Sequence, residues 1–102
     1  MQMNQVERID HFEKIFDETS AAIENLDNAL ENFSAVQEKY FELMNYYGGD
    51  WIKDYEDDEA GKIPKNLKRG VLSQDSVHNL LNKNRELQIK VLEIFADILR
   101  KG

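Results

Sequence analysis

The chain has 102 residues, 41% of them hydrophobic and 32% charged, with no cysteine and a net charge of −7. That length holds one domain, and the composition is too apolar for a disordered tail. The lack of cysteine excludes disulfide staples, thiolate zinc sites and cysteine nucleophiles. The acidic balance argues against general nucleic-acid binding, whose affinity comes mainly from neutralising phosphates.

The opening stretch, MQMNQVERIDHFEKIF, has no basic patch followed by an apolar run, so it does not read as a signal peptide. No segment approaches the roughly 18 apolar residues of a membrane span. The expectation is therefore a cytoplasmic protein without a membrane partner. Charge is spread unevenly. Residues 1–47 hold ten acids and three bases, and residues 48–60 hold six acids and one base. Residues 61–72 hold Lys62, Lys65, Lys68 and Arg69 with no acid.

The first element is a very long helix, expected over residues 4–47. A seam recurs at steps of three and four: Ile9, Phe12, Phe16, Thr19, Ile23, Leu26, Leu30, Phe33, Gln37, Tyr40, Met44 and Tyr47. Such a heptad spacing marks one helix face that packs against another helix, as in a coiled coil. A second row, Ile15, Ala22, Ala29, Val36 and Leu43, widens the stripe to what a three- or four-helix bundle needs. No Gly or Pro interrupts the run, and Gly48-Gly49 supplies the stop.

Asp50 then stands where a side-chain oxygen can cap a short helix, expected over 50–59, which carries Trp51, Ile52 and Tyr55. Residues 60–72 read as a loop, made irregular by Pro64 and Gly70, with Ile63, Leu67, Val71 and Leu72 pinning it down. Ser73 is the expected N-cap of a last helix over 74–100, with Asp75 in its first turn and Arg100 and Lys101 at its end. The apolar face of that helix is Val77, Leu80, Leu81, Leu87, Val91, Ile94, Phe95 and Ile98, with Asn84 in the seam.

These elements predict an all-α chain: one helical domain over 1–102, a long hairpin or bundle. Antiparallel packing of the acidic first helix on the mildly basic last one is the favoured pairing. The last helix is too short to cover the first. If it starts level with Tyr47, then Val6, Ile9, Phe12, Ile15 and Phe16 stay bare. Alternatively, residues 50–72 cover Phe33 to Tyr47 and push the last helix toward the N-terminus, a packing that a single chain can satisfy. The first packing exposes apolar surface of an extent that calls for a partner. Ile9, Phe12, Ile15 and Phe16 are therefore the candidate dimer stripe of a homodimer.

The middle of the chain carries a resemblance. Tyr46-Tyr47-Gly48-Gly49-Asp50-Trp51 leads to Asp54 and Asp58-Glu59-Ala60-Gly61; Pro64, Leu67-Lys68-Arg69-Gly70-Val71-Leu72-Ser73 and Asn84-Arg85-Glu86-Leu87 follow. This pattern resembles a bacterial family known as domain of unknown function number 4298, over about residues 6–96. The resemblance implies a small helical protein and brings no activity with it. In physical terms Tyr47, Trp51 and Leu67 are expected to form an aromatic plug, Gly48, Gly61 and Gly70 to serve turns, and Ser73 to cap.

Few constellations suggest chemistry. His11 and Glu7 lie one helical turn apart, as do Asp75 and His78, but bundle metal sites use several facing ligands such as paired Glu-x-x-His, which this chain lacks. The run Asp54, Glu56, Asp57, Asp58 and Glu59 misses the register of a calcium loop and reads as a solvated acidic face. Ser20, Ser34, Ser73 and Ser76 have no triad pattern around them. Neither a catalytic, cofactor nor metal residue is assigned. The expected function is a small non-enzymatic interaction or regulatory module that meets itself or another protein. Its loop surface would hold Tyr47, Trp51, Asp54, Lys68, Arg69, Asn84 and Arg85. The alternative is a nucleic-acid-associated regulator using the basic loop 62–69, although that loop more plausibly pairs with the acids preceding it. An enzyme with a site at the Trp51–Gly70 end ranks third.

Overall fold

The computed structural model describes residues 2–102. Among them the chain runs α1 (Gln5–Tyr47), α2 (Trp51–Glu59), a 3-10 turn over Gly70–Leu72, and α3 (Gln74–Lys101), with no strand. The expected all-α chain of one long, one short and one intermediate helix is what forms. Among the described residues no helix is long and apolar enough to cross a membrane.

α1 begins one residue later than expected, because Asn4 is its cap. The Asn4 Oδ1 accepts from the Glu7 N–H at 2.8 Å, and Asn4 Nδ2 donates to Glu7 Oε1 at 2.7 Å. That reciprocal pair satisfies a donor that the first helical turn leaves open. With no Gly or Pro inside, α1 continues for 43 residues, about 64 Å at ~1.5 Å per residue. It stops at the glycine pair, where the Gly49 N–H donates to the Tyr46 carbonyl at 3.0 Å.

The chain divides into two compact units, Met1–Asn45 and Tyr46–Gly102. The first is a single helix and has no core of its own. Nothing along α1 is buried, and Val6, Ile9, Phe12, Ile15, Phe16 and Ile23 are all exposed.

The second unit holds the core. Trp51 (4% exposed), Leu72 (8%) and Val77 are its buried side chains, one each from α2, the 3-10 turn and α3. Burying an aromatic and two aliphatic side chains supplies roughly 1.5–3 kcal/mol each. α2 ends in a Schellman arrangement. The Gly61 N–H donates to Asp58 O at 3.0 Å and the Lys62 N–H to Asp57 O at 2.9 Å. The geometry needs a left-handed residue, and Gly61 supplies it at φ 76°. Ser73 caps α3 as expected, its Oγ accepting from the Ser76 N–H at 3.3 Å.

Two expectations fail here. Asp50 precedes α2 but makes no side-chain cap hydrogen bond. Its backbone is already helical, at φ −67° and ψ −13°, whereas a capping side chain needs the extended conformation to reach back to the first-turn amides. Leu67 is no part of a plug, since it is 57% exposed. The aromatic cluster consists instead of Tyr47, Trp51 and Tyr55.

Candidate functional site

Trp51 organises the second unit. Its indole Nε1 donates to the Val71 carbonyl at 2.8 Å, across twenty residues of sequence. Buried indole N–H groups need such an acceptor, so this bond ties the start of α2 to the 3-10 turn. Tyr55, one turn along α2, stacks on the indole with ring centroids 5.0 Å apart and planes at 15°. Tyr47 lies against it at 5.0 Å and 47°.

Beside this cluster is a groove of about 270 Å³, lined by Tyr46, Asp54, Ile63, Leu67, Lys68, Arg69, Val71 and Leu72. Tyr46 Oη donates to Asp54 Oδ2 at 2.7 Å. Partial burial, that hydrogen bond, and the negative charges of Asp54 and Asp50 push the Tyr46 phenol up to about 12. It is therefore a fixed donor at ordinary pH and not an acid–base group, and it keeps the Asp54 carboxylate occupied.

Arg69 holds the loop. Its Nη1 is bonded to Asp58 Oδ1, and its Nη2 donates to the Pro64 carbonyl at 2.8 Å. Lys62 adds a looser pair with Asp57 at 3.9 Å. Two of the four basic loop residues are thus matched by acids of α2 inside the same unit, the pairing anticipated from the charge pattern. The acidic face is correspondingly less solvated than expected, because the Asp58 side chain is only 17% exposed. A second hollow of about 380 Å³ is also lined by Arg69, together with Tyr55, Asp58 and the capping turn of α3.

Of the residues singled out in the sequence, Asp54, Lys68 and Arg69 meet at the groove, while Trp51 is buried without lining it and Tyr47 leans on Trp51. Asn84 is half-buried on α3 and engaged with a neighbour, and Arg85 beside it is exposed; neither lines the groove. Tyr46 opens the motif quoted above but is not among the expected surface residues; eight residues separate it from Asp54.

No residue of the groove pairs a nucleophile with a base, since its carboxylate and its guanidinium are both engaged. The histidines lie elsewhere. His11 meets the Phe12 ring edge-on at 5.1 Å, and His78 Nε2 is 3.2 Å from Asn82 Nδ2. Among the described residues there is no group of three or more His, Cys, Asp or Glu placed to hold a metal ion.

The other candidate surface is the stripe of α1. Ile9, Phe12, Ile15 and Phe16 are exposed together, between 41% and 65%. A family model described as Domain of unknown function (DUF4298) matches residues 9–94 of the chain, from this stripe into α3. Neither a curated protein nor a solved structure matches it.

Proposed function

The chain belongs to the family described as Domain of unknown function (DUF4298), and on that premise we propose that it is a small non-enzymatic interaction module that dimerises through the α1 stripe. The observation that carries this reading is the run of exposed Ile9, Phe12 and Phe16 at heptad spacing, flanked by exposed Val6 and Ile15, on a unit without a core. A helix in a protein draws most of its stability from packing an apolar face. Contiguous apolar patches of this length are seldom left in water. Covering the five side chains recovers on the order of 1.5 kcal/mol each, enough to offset the several kcal/mol that association costs.

The engaged groove supports the non-enzymatic half of the reading. Asp54 is held by Tyr46 and Asp58 by Arg69, so the loop surface is built for rigidity. The basic loop favours no nucleic-acid role, since Lys62 and Arg69 are already paired with acids.

Sedimentation equilibrium tests the proposal. The expected result is a reversible dimer, with Phe12→Asp shifting the population to monomer while far-UV circular dichroism stays helical. A monomer whose mass is independent of concentration into the 100 μM range would overturn it.

A further inference from the structure

Resting on the dimer reading above, we propose that the Ile9–Phe12–Phe16 row of α1 docks against a second apolar row on α3 of another copy, formed by Ile89, Leu92, Ala96 and Leu99. This row is distinct from the α3 face that begins at the buried Val77. Its members recur at steps of three, four and three residues, so they lie on one side of the helix. Leu92 and Leu99 are 71% and 79% exposed, and Ile89 is exposed with them.

Length points to a second copy. α1 has 43 residues and α3 has 28. Laying one α3 along one α1 therefore leaves about 15 residues of the longer helix, or ~22 Å, uncovered however they are placed. The row from Ile89 to Leu99 extends over ~15 Å by the same rise, which accommodates the Ile9–Phe16 segment. Both rows belong to every chain, so a two-fold dimer covers each of them twice with one kind of contact.

Charge selects α3 over α1 as the receiving surface. α1 carries ten acids and three bases, so pairing two copies of it brings like charges together. α3 carries four acids and five bases. The exposed Arg85 stands one step before Ile89 on the same row, and Lys101 lies just beyond Leu99, next to Arg100, whose 3.1 Å pair with Asp97 is exposed on both sides and competes weakly. Around the α1 row the acids are Glu7, Asp10, Glu13 and Asp17, with Arg8 and Lys14 the bases. The Asp10–Lys14 pair at 3.1 Å is exposed on both sides and competes weakly with an intermolecular partner.

Because the chain has no cysteine, introduced thiols report contacts directly. Chains carrying F12C and chains carrying L92C are mixed and mildly oxidised. The expected product is a covalent pair containing one of each, at least ten times more abundant than either self-pair. In parallel, sedimentation of the L92D/L99D double variant should give a dissociation constant raised on the order of 30-fold. Both residues are exposed, so Trp51 fluorescence should stay as in the parent. Predominant F12C self-pairs, or an undisturbed L92D/L99D dimer, overturn this inference and leave the stripe reading standing. A parent chain that stays monomeric removes both.

Discussion

Leu72→Ala tests the core assignment most directly. Leu72 is 8% exposed beside Trp51, whereas Leu67, five residues earlier in the same segment, is 57% exposed. Removing a buried leucine to alanine costs about 2–5 kcal/mol through lost transfer energy and the cavity left behind. A core of three side chains next to a surface hollow relaxes easily, which favours the lower part of that range, about 2.5 kcal/mol. A unit of this size has a total stability of only about 3–8 kcal/mol. Trp51 is the only tryptophan, so its fluorescence in a urea titration reports the second unit alone. With a urea slope of about 1 kcal/mol/M, Leu72→Ala should lower the midpoint by about 2.5 M. Leu67→Ala should move it by less than about 0.5 M, as surface changes do. Equal shifts for the two variants would refute the argument that the 3-10 turn, and not the loop before it, closes the core.

Tyr46→Phe should cost about 1 kcal/mol at pH 8, the worth of a partly exposed hydrogen bond to a carboxylate. The folded phenol holds its proton up to about 12, while the unfolded chain releases it near 10. The bond's stabilisation is therefore whole below pH 10 and is lost as pH rises from 10 to 12, and parent and variant should converge over that window in urea titrations. In a double-mutant cycle, Arg69→Ala with Asp58→Ala should show a coupling of about 1 kcal/mol at low salt that shrinks in 1 M NaCl. Gly61→Ala should destabilise by about 1 kcal/mol through its left-handed φ alone, since an added Cβ would meet nothing within 4 Å; a neutral result by thermal melting would contradict the assigned turn.

What was legible in the sequence follows from the range of the forces involved. The length of α1 was readable because helix continuation is local and nothing between Asn4 and Tyr47 interrupts it. The helix begins one residue later than expected because Asn4 caps it through its side chain and stands outside the first turn. The Asp50 cap failed because residue preference says nothing of the backbone conformation the turn imposes. The charge pattern foretells that the basic loop meets the acids of α2, but contacts such as Trp51 to Val71 or Arg69 to Pro64 join residues by their place in the fold and leave no periodicity to find. The Ile89–Leu99 row escaped notice for a different reason. α3 is apolar over more than one face, and its most regular seam, from Val77 to Ile98, was taken as its only one.

The two units differ in what their side chains do. In the second, the polar groups with the most to offer a ligand are already spent on the fold: the Trp51 indole on Val71, the Tyr46 hydroxyl on Asp54, and the Arg69 guanidinium on Asp58 and Pro64. Changing any of them leaves a partner unsatisfied in a half-buried place, which costs more than the bond contributes. In the first, Val6, Ile9, Phe12, Ile15 and Phe16 of α1 are exposed, while Phe33, Tyr40, Leu43 and Met44 nearer its end are half-buried. Substitutions in the loop should therefore act on unfolding midpoints at any protein concentration. Substitutions at Phe12 or Phe16 should act on stability only where protein concentration sets the degree of assembly. A Phe12→Asp variant whose melting temperature falls equally at 1 μM and 100 μM would show that the stripe serves the fold of a single chain.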